Sequence, residues 1–584
     1  MAGAAQAAAA AIEPGGAPAR AGAPARRGRY ALVAIVLVAV AYATLIQSFS
    51  WNQTSHYDLI RALDRGRTTI DAYQANTGDK VFYRNHWYSA RAPGLALYSL
   101  PFYEVLKAVN APAVARTSAA QRGDDEMIYF VGLWGNVLPA LLLLLLVWRV
   151  AERFEPGFGA ASAIVLGLGT LVLPLATLLF SHVLGALLAF AAFALMLRER
   201  DGPPSPKLLA LAGVAVGYGV TSEYPVLFAG IVLGGYLLSR PGTFAPRVLA
   251  PRAGAYIAGG LMGIVPLLVY NHFAFHSWTH LAYANVTRQQ KGFFGIDAPS
   301  LKVLATLLFD SRGLLTLSPV LIMGAVGTAM IYRRGRRAEA LTVAAICLCY
   351  VGYNSGYYLP FGGGFMGPRF LTTVLPFLAP GLAVAFRRLS GPTIALAAVS
   401  IAATTIATVT HPLVGYEPET VIWGRLLIHG CEALPPARCE HNRFQPTIAS
   451  ALGLGRGWGA IWPFVLAGAG ALVFAARASA LASLRREASA ARALVPAALA
   501  IVAWGVFAAL APTLLGIDHR GLLSIVGAGD HTALNLELHN GSRYPLQTLV
   551  PIAAGAGFAA LALALAWRRA APRGGSRRVS AARF

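Results

Sequence analysis

The sequence predicts an all-α polytopic membrane protein of about 12–14 transmembrane helices with a large first external loop, on three observations. First, 56% of the 584 residues are hydrophobic and only 12% are charged, with a mean hydropathy of +0.57. A soluble domain carries about a quarter charged residues, so most of this surface must meet something other than water. Second, apolar runs of roughly 20 residues recur from end to end, each long enough to cross a hydrocarbon core of ~30 Å. Third, the charge is distributed by side. With the N-terminus inside and the spans alternating, the inside loops hold 28 Lys+Arg against 7 Asp+Glu, and the outside ones 20 against 18. That is the positive-inside pattern. The net charge of +23 therefore describes topology and a grip on anionic headgroups, and it does not point to nucleic acid.

In chain order, residues 1–30 form an Ala/Pro/Gly-rich basic tail expected to be disordered. The first span, 31–49, lacks a convincing small-x-small cleavage site after it and reads as an uncleaved anchor. Spans follow at about 127–148, 158–178, 181–198, 206–222, 225–239, 253–272, 313–332, 338–357, 369–388, 392–410, 460–477, 493–513 and 547–567. Residues 92–109 are apolar too, but a full crossing there would invert every later loop, so they read as an interfacial helix. Residues 568–584 form a second basic tail, and both termini are expected in the cytoplasm. No internal repeat is visible. Inside loops are short and basic, whereas the polar mass lies outside, in 50–126, 273–312, 355–368, 411–459 and 514–546. The work is therefore expected on the outer face of the membrane.

Cys347 and Cys349 fall within a span and read as small packing residues. Cys431 and Cys439 bracket CEALPPARC in an outside loop, where an oxidising compartment permits a disulfide. No spacing suggests zinc or an iron–sulfur cluster.

The chemistry-bearing residues gather at outer ends of spans and in the first loop. Glu223 in TSEYP, Asp310 and Arg312 in FDSRGLL, and Arg369 in GGGFMGPRFL sit where ionisable groups are costly and mark function or pairing. The alternative for each arginine is snorkelling to the headgroups. In the first loop, SHYDLIRALDRG (55–66) has apolar residues at helical spacing and reads as an amphipathic helix on the membrane surface. A partly shielded Asp58 there could act as a general base. For Asp64 and Asp79 the better reading is a solvated acid that neutralises nearby arginines. Arg84, His86 and Arg91 gather near Trp87 and Tyr88 just before the Pro93-Gly94 turn, where a guanidinium suits a lipid phosphate.

YDLIRALDRG (57–66) and HWYSARAPGLALYSLPFY (86–103) resemble the GT-C glycosyltransferases, in particular the branch of protein O-mannosyltransferases and the lipid A aminoarabinose transferase. FDSRGLLTLSPV (309–320) and GFMGPRFLTTVLPFL (364–378) support the resemblance, which covers roughly the first 390 residues. It implies a GT-C-like catalytic module over 31–390, further transmembrane helices over 391–567, and inverting transfer of a sugar from a polyprenyl-phosphate carrier to an acceptor hydroxyl on a glycan, lipid or protein. Asp58 would be the base, with Asp71 its rival. Arg91 would hold the phosphate, and His86, Tyr88, Glu223, Asp310, Arg312 and Arg369 would line the substrate site. Family members often carry an Asp-Glu pair where this chain has Asp58-Leu59, and an acid where it has Ala90. Both departures weaken the case for a divalent metal, which needs several oxygen ligands. The other readings are a transporter or flippase of a lipid-linked glycan and an envelope-assembly scaffold. A transporter would place polar residues at mid-depth, which these spans scarcely offer.

Overall fold

The structure is a computed structural model that describes residues 22–47, 49–111, 127–240, 242–286, 294–310, 312–410, 412–413, 445–455, 457–480 and 490–514. Cys431, Cys439 and the predicted span 547–567 lie outside them. All the other predicted spans fall on helices. The first is α1 (Gly22–Ala43), and the external loop supplies α2 (Trp51–Asp64), a hairpin of β1 (Lys80–Tyr83) and β2 (His86–Ser89), and α3 (Gly94–Ala108). The next span is α4 (Ile128–Gly132), a π turn (Leu133–Val137) and α5 (Leu138–Phe154) in one run. Then come α6 (Gly159–Leu168), α7 (Val172–Ala176), α8 (His182–Asp201), α9 (Pro206–Ser222), α10 (Val226–Leu237) and α11 (Pro246–Phe275). The chain continues through α12 (Leu301–Phe309), α13 (Leu314–Leu317), α14 (Val320–Arg333), α15 (Arg337–Gly356), α16 (Leu375–Arg388) and α17 (Ser390–Thr410). The last described helices are α18 (Ile448–Ala451), α19 (Trp462–Ala478) and α20 (Ala490–Leu514).

The protein is an all-α, multi-pass membrane protein. Among the described residues five helices are long and apolar enough to cross a membrane, or six if the bent pair Leu301–Leu317 and Val320–Arg333 is one span. Several predicted spans are shorter or broken. The run 158–178 is not one helix, because α6 ends at Gly169 and only the five-residue α7 follows. Helix α11 shows the lipid-facing pattern plainly: Ile257, Leu261, Val265, Val269 and Phe273, four residues apart, are all exposed.

The opposite face of α11 packs on α9 through small residues. A Cβ on Gly213 would come within 2.1 Å of the Tyr256 carbonyl oxygen, and one on Gly259 within 2.0 Å of that of Ala210. Lipid tails are as apolar as leucine, so close backbone approach of this kind is what drives helix pairing in a bilayer. The contact is firm, and it anchors the end of α9 from which Glu223 projects.

Residues that the sequence assigns to the inside meet at one end of the bundle as a set of shared ion pairs. Glu155 takes Arg334 and Arg387, at 2.6 and 2.7 Å. Glu199 takes Arg252 at 2.8 Å and Arg240 at 3.5 Å. Glu339 takes Arg200 and Arg336, and Arg336 also reaches Asp201. Each buried carboxylate is neutralised twice, which ties neighbouring helices at their ends.

Candidate functional site

Helix α2 starts in a capping box, in which Gln53 Oε1 accepts from the Ser50 backbone N–H at 2.9 Å. It does not lie on a surface as the periodicity suggested: every residue from Asn52 to Ala62 is buried, because the hairpin and α3 cover it. Asp58 is thus fully buried and not half-shielded. It accepts from Arg61 at 2.6 Å, and the Arg61 guanidinium stacks 3.9 Å over the Tyr73 ring. Asp71 is on the exposed side of the hairpin, bonded to His86 Nδ1 at 2.8 Å and to the Trp87 backbone N–H at 2.7 Å. Those bonds hold its carboxyl below the usual range even though partial burial pushes it up. Tyr88 is buried, its ring 4.9 Å from Phe275.

The hairpin delivers Arg91. Ser55 on α2 donates to the Asp79 carbonyl at 2.6 Å and meets Ser89 Oγ at 2.8 Å, and Ser89 Oγ accepts the Arg91 backbone N–H at 3.2 Å. The Arg91 side chain pairs with Asp79, which is therefore not the solvated acid the sequence suggested. The chain then turns at Pro93, and Gly94 abuts the end of α9. A Cβ there would come within 2.4 Å of Ser222 Oγ, so only glycine lets Arg91 approach the α9–α10 turn this closely.

Glu223, in that turn, accepts from Ser181 and pairs with His182 Nδ1 at 3.1 Å through the same carboxylate oxygen. Burial pushes its carboxyl up, but His182, Ser181 and the nearby Arg369 charge outweigh this and hold it down to about 2. The break before α8 that presents Ser181 and His182 is fixed from the π turn: Asn136 Nδ2 donates to the carbonyls of Leu175 at 3.1 Å and Phe180 at 2.7 Å. Such π turns recur at functional sites. On the other side, Tyr350 donates to the Pro225 carbonyl at 2.8 Å.

Arg369 comes from the 3-10 turn ahead of α16 (Arg369–Val374). Its guanidinium lies 5.1 Å from the Phe180 ring and against Gly362, whose φ of +76° and lack of a side chain make the space. It is 5% exposed, and its Nε is buried without a hydrogen-bond partner. No ion pair to it occurs among the described residues. Arg312 is one step removed. It donates to the Phe365 carbonyl at 3.1 Å and to that of Gly363 at 2.9 Å, and so shapes the loop that leads to Arg369. Asp310, buried at the end of α12, closes the turn into α13 through its own carbonyl, which accepts from the Gly313 N–H at 2.7 Å.

Two histidines belong to the site that the sequence reading passed over. His56 is fully buried with neither ring nitrogen hydrogen-bonded, and it feels the charges of Arg91, Glu223, His182 and Arg369. Burial first, then the Arg91 charge, push it down to about 3. His182 has a buried Nε2 with no partner. His182 opens an apolar run, whose hydropathy a neutral imidazole barely alters, and His56 lies in the polar stretch SHYDLIRALDRG, so neither stood out in the sequence. Tyr283 completes the set, pushed up to about 12 by burial and feeling Arg91, Glu223 and Arg369.

The structure thus brings Arg91, Glu223 and Arg369 together with His56 and His182, and places Asp58, Asp71, His86 and Tyr88 in the scaffold of the loop. Among the described residues no three His, Cys, Asp or Glu side chains converge as a metal-ligand set. Asp58 faces Arg61, Asp79 faces Arg91 and Glu223 faces His182.

The fold and site define a helical membrane protein with a buried, arginine- and histidine-rich cluster beneath its first loop. Among solved structures the chain is similar to ArnT from Cupriavidus metallidurans in the apo state, at 16% identity over 90% of this chain and 87% of that one, with a TM-score of 0.41. It is also similar to the same protein bound to undecaprenyl phosphate, at 15% identity, the same coverage and a TM-score of 0.39. The apo Archaeoglobus fulgidus oligosaccharyltransferase matches at 12% identity over 76% of this chain, with a TM-score of 0.38, and the match spans 56% of that chain, about half its length. No protein-family model and no curated protein matches the sequence.

Proposed function

We propose that this protein is an inverting glycosyltransferase that moves a sugar from a polyprenyl-phosphate carrier to an acceptor hydroxyl on the outer face of the membrane. The observation that carries the reading is Arg369, a buried guanidinium that makes no ion pair among the described residues and whose Nε has no hydrogen-bond partner, beside Arg91, which pairs with Asp79. A buried unpaired charge is costly unless a ligand supplies the opposite one. Two arginines under a loop at the lipid boundary suit a phosphate monoanion or dianion on a lipid, and the planar fork of each matches its oxygens. All the clustered residues, from His56 to Arg369, fall within 31–390, the segment that carries the sequence resemblance. Arg91 and Arg369 would stabilise the charge that grows on the departing phosphate oxygen as the sugar C1–oxygen bond breaks. With a single displacement and no enzyme nucleophile, configuration at C1 inverts.

Binding of undecaprenyl phosphate to the purified protein, followed by native mass spectrometry and by thermal shift, tests the site. Arg91→Ala and Arg369→Ala should each weaken it by about ten- to a hundredfold, the value of a charge-assisted contact. Arg91→Lys should recover part of the loss. Equal binding by wild type and both alanine variants would sink the phosphate assignment.

A further inference from the structure

Resting on that reading, we infer that the general base of the reaction is His182, oriented by Glu223, and not a carboxylate of the first external loop. The imidazole is 4% exposed and held from one side only: Nδ1 faces Glu223 Oε2 at 3.1 Å, and Nε2 is buried with no hydrogen-bond partner. A carboxylate only accepts, so Nδ1 carries the proton and Nε2 carries the lone pair. Ser181 donates to the same Glu223 oxygen, and the Glu223 backbone is fixed by its bond to the Gly219 carbonyl at 2.7 Å. Gly185, one turn into α8, leaves Glu223 room: a Cβ there would lie 3.2 Å from that of Glu223. The ring is further set edge-on to Phe370, 5.6 Å between centroids, immediately after Arg369.

This is the arrangement that acid–base chemistry requires: a base with one free nitrogen, its tautomer and orientation set by a buried carboxylate that also stabilises the imidazolium. The groups that face it from the surrounding elements are Glu223 and Ser181 from the turns, Arg369 from the 3-10 turn, Arg91 from the hairpin–α3 turn and His56 from α2. Neither loop acid is so placed. Asp58 is committed to Arg61, and Asp71 to His86 and the Trp87 N–H on the exposed side of the hairpin.

In the step itself the acceptor hydroxyl gives its proton to His182 Nε2 as its oxygen forms the bond to the sugar C1. The bond from C1 to the phosphate oxygen breaks, and its electron pair leaves on the phosphate, held by Arg91 and Arg369. The proton then passes from His182 to the freed phosphate or to water, which restores the neutral ring. Glu223 remains ionised throughout and is a positioning residue.

The test uses full-length protein in nanodiscs, with the total lipid extract of cells lacking it as donor source, and counts undecaprenyl phosphate released by mass spectrometry. His182→Gln should lower turnover by about 10²–10⁴-fold, the usual contribution of an acid–base group, with undecaprenyl phosphate binding within about twofold of wild type. Glu223→Gln should lower kcat, leave the donor KM unchanged and alter the acid limb of the pH–rate profile, which a purely structural role would not do. If His182→Gln does not fold, Glu223→Gln alone decides by that kcat-against-KM split. Near-wild-type turnover by a folded His182→Gln, or an unaltered kcat in Glu223→Gln, overturns the assignment. If instead wild type neither binds nor releases undecaprenyl phosphate, the transferase reading itself fails, which is a different result.

Discussion

Two ends of the same bundle use arginine in opposite ways. At the end that gathers the basic loops, Glu155, Glu199 and Glu339 each serve two arginines, and even the deeply buried Arg252 has its carboxylate at 2.8 Å. At the other end Arg369 is as buried as Arg252 and makes no ion pair among the described residues, and two histidines beside it keep unbonded nitrogens. The same residue type therefore ties helices together where its charge is cancelled by an ion pair, and lies buried without one at the site. Solvation decides between the two: removing an arginine from water costs several kcal/mol, and only a partner or a bound anion offsets it.

The largest effect should come from breaking the cancelled end. Glu199→Gln strands Arg240 and Arg252 without a counter-charge and should cost about 3–5 kcal/mol, read as a lowered denaturant midpoint in detergent. The matching change at the other end should go the opposite way. Arg369→Met removes a buried charge that makes no ion pair among the described residues, so unliganded stability should hold or rise by about 1–3 kcal/mol, while stabilisation by added undecaprenyl phosphate disappears. A loss of stability in that variant as large as in Glu199→Gln would erase the contrast between the two ends.

Acid should weaken the site end in a defined window. His56 is held at about 3 in the folded protein, against about 6.5 for a free histidine. Between those values the unfolded chain binds the extra proton, so stability falls as pH drops from about 6.5 toward 3, and it is unaffected by this group above 6.5. Glu223, depressed to about 2, adds loss in the same direction below its ordinary range near 4.5. Melting temperatures measured across this range should slope less in His56→Gln than in wild type. The smallest effect belongs to Asp71→Asn. Its pair with His86 is exposed, with side chains 40% and 54% accessible, so about 0–1 kcal/mol should be lost. A drop in turnover beyond about tenfold in that variant would return Asp71 to the chemistry.

Much of this was legible in the sequence. The apolar runs located the helices, and the anomalous charges Glu223, Arg369 and Arg91 pointed at residues that do come together. The burial of α2 was not legible, because a stripe of Tyr57, Ile60 and Leu63 looks the same whether its polar face meets water or a hairpin. Nor was the partner of Asp79, since the Arg91 pairing depends on a hairpin register (Lys80 opposite Ser89) that two short strands do not announce. His182 was hidden for another reason. A neutral imidazole costs little at the head of a span, so it barely disturbs the hydropathy that guides the eye.

The bonds of Ser55 to Asp79 and Ser89 have a consequence for synthesis. They join residues close in sequence, so the half of the site that carries Arg91 can close soon after it leaves the ribosome. Ser181, His182 and Glu223 follow later, and Arg369 last. Because Asp79 already accompanies Arg91, the early half waits without an exposed naked charge. The late arginine is the one without an ion pair among the described residues. The cluster is therefore complete only once the chain has been made as far as Arg369, and a half-made chain lacks its last cation.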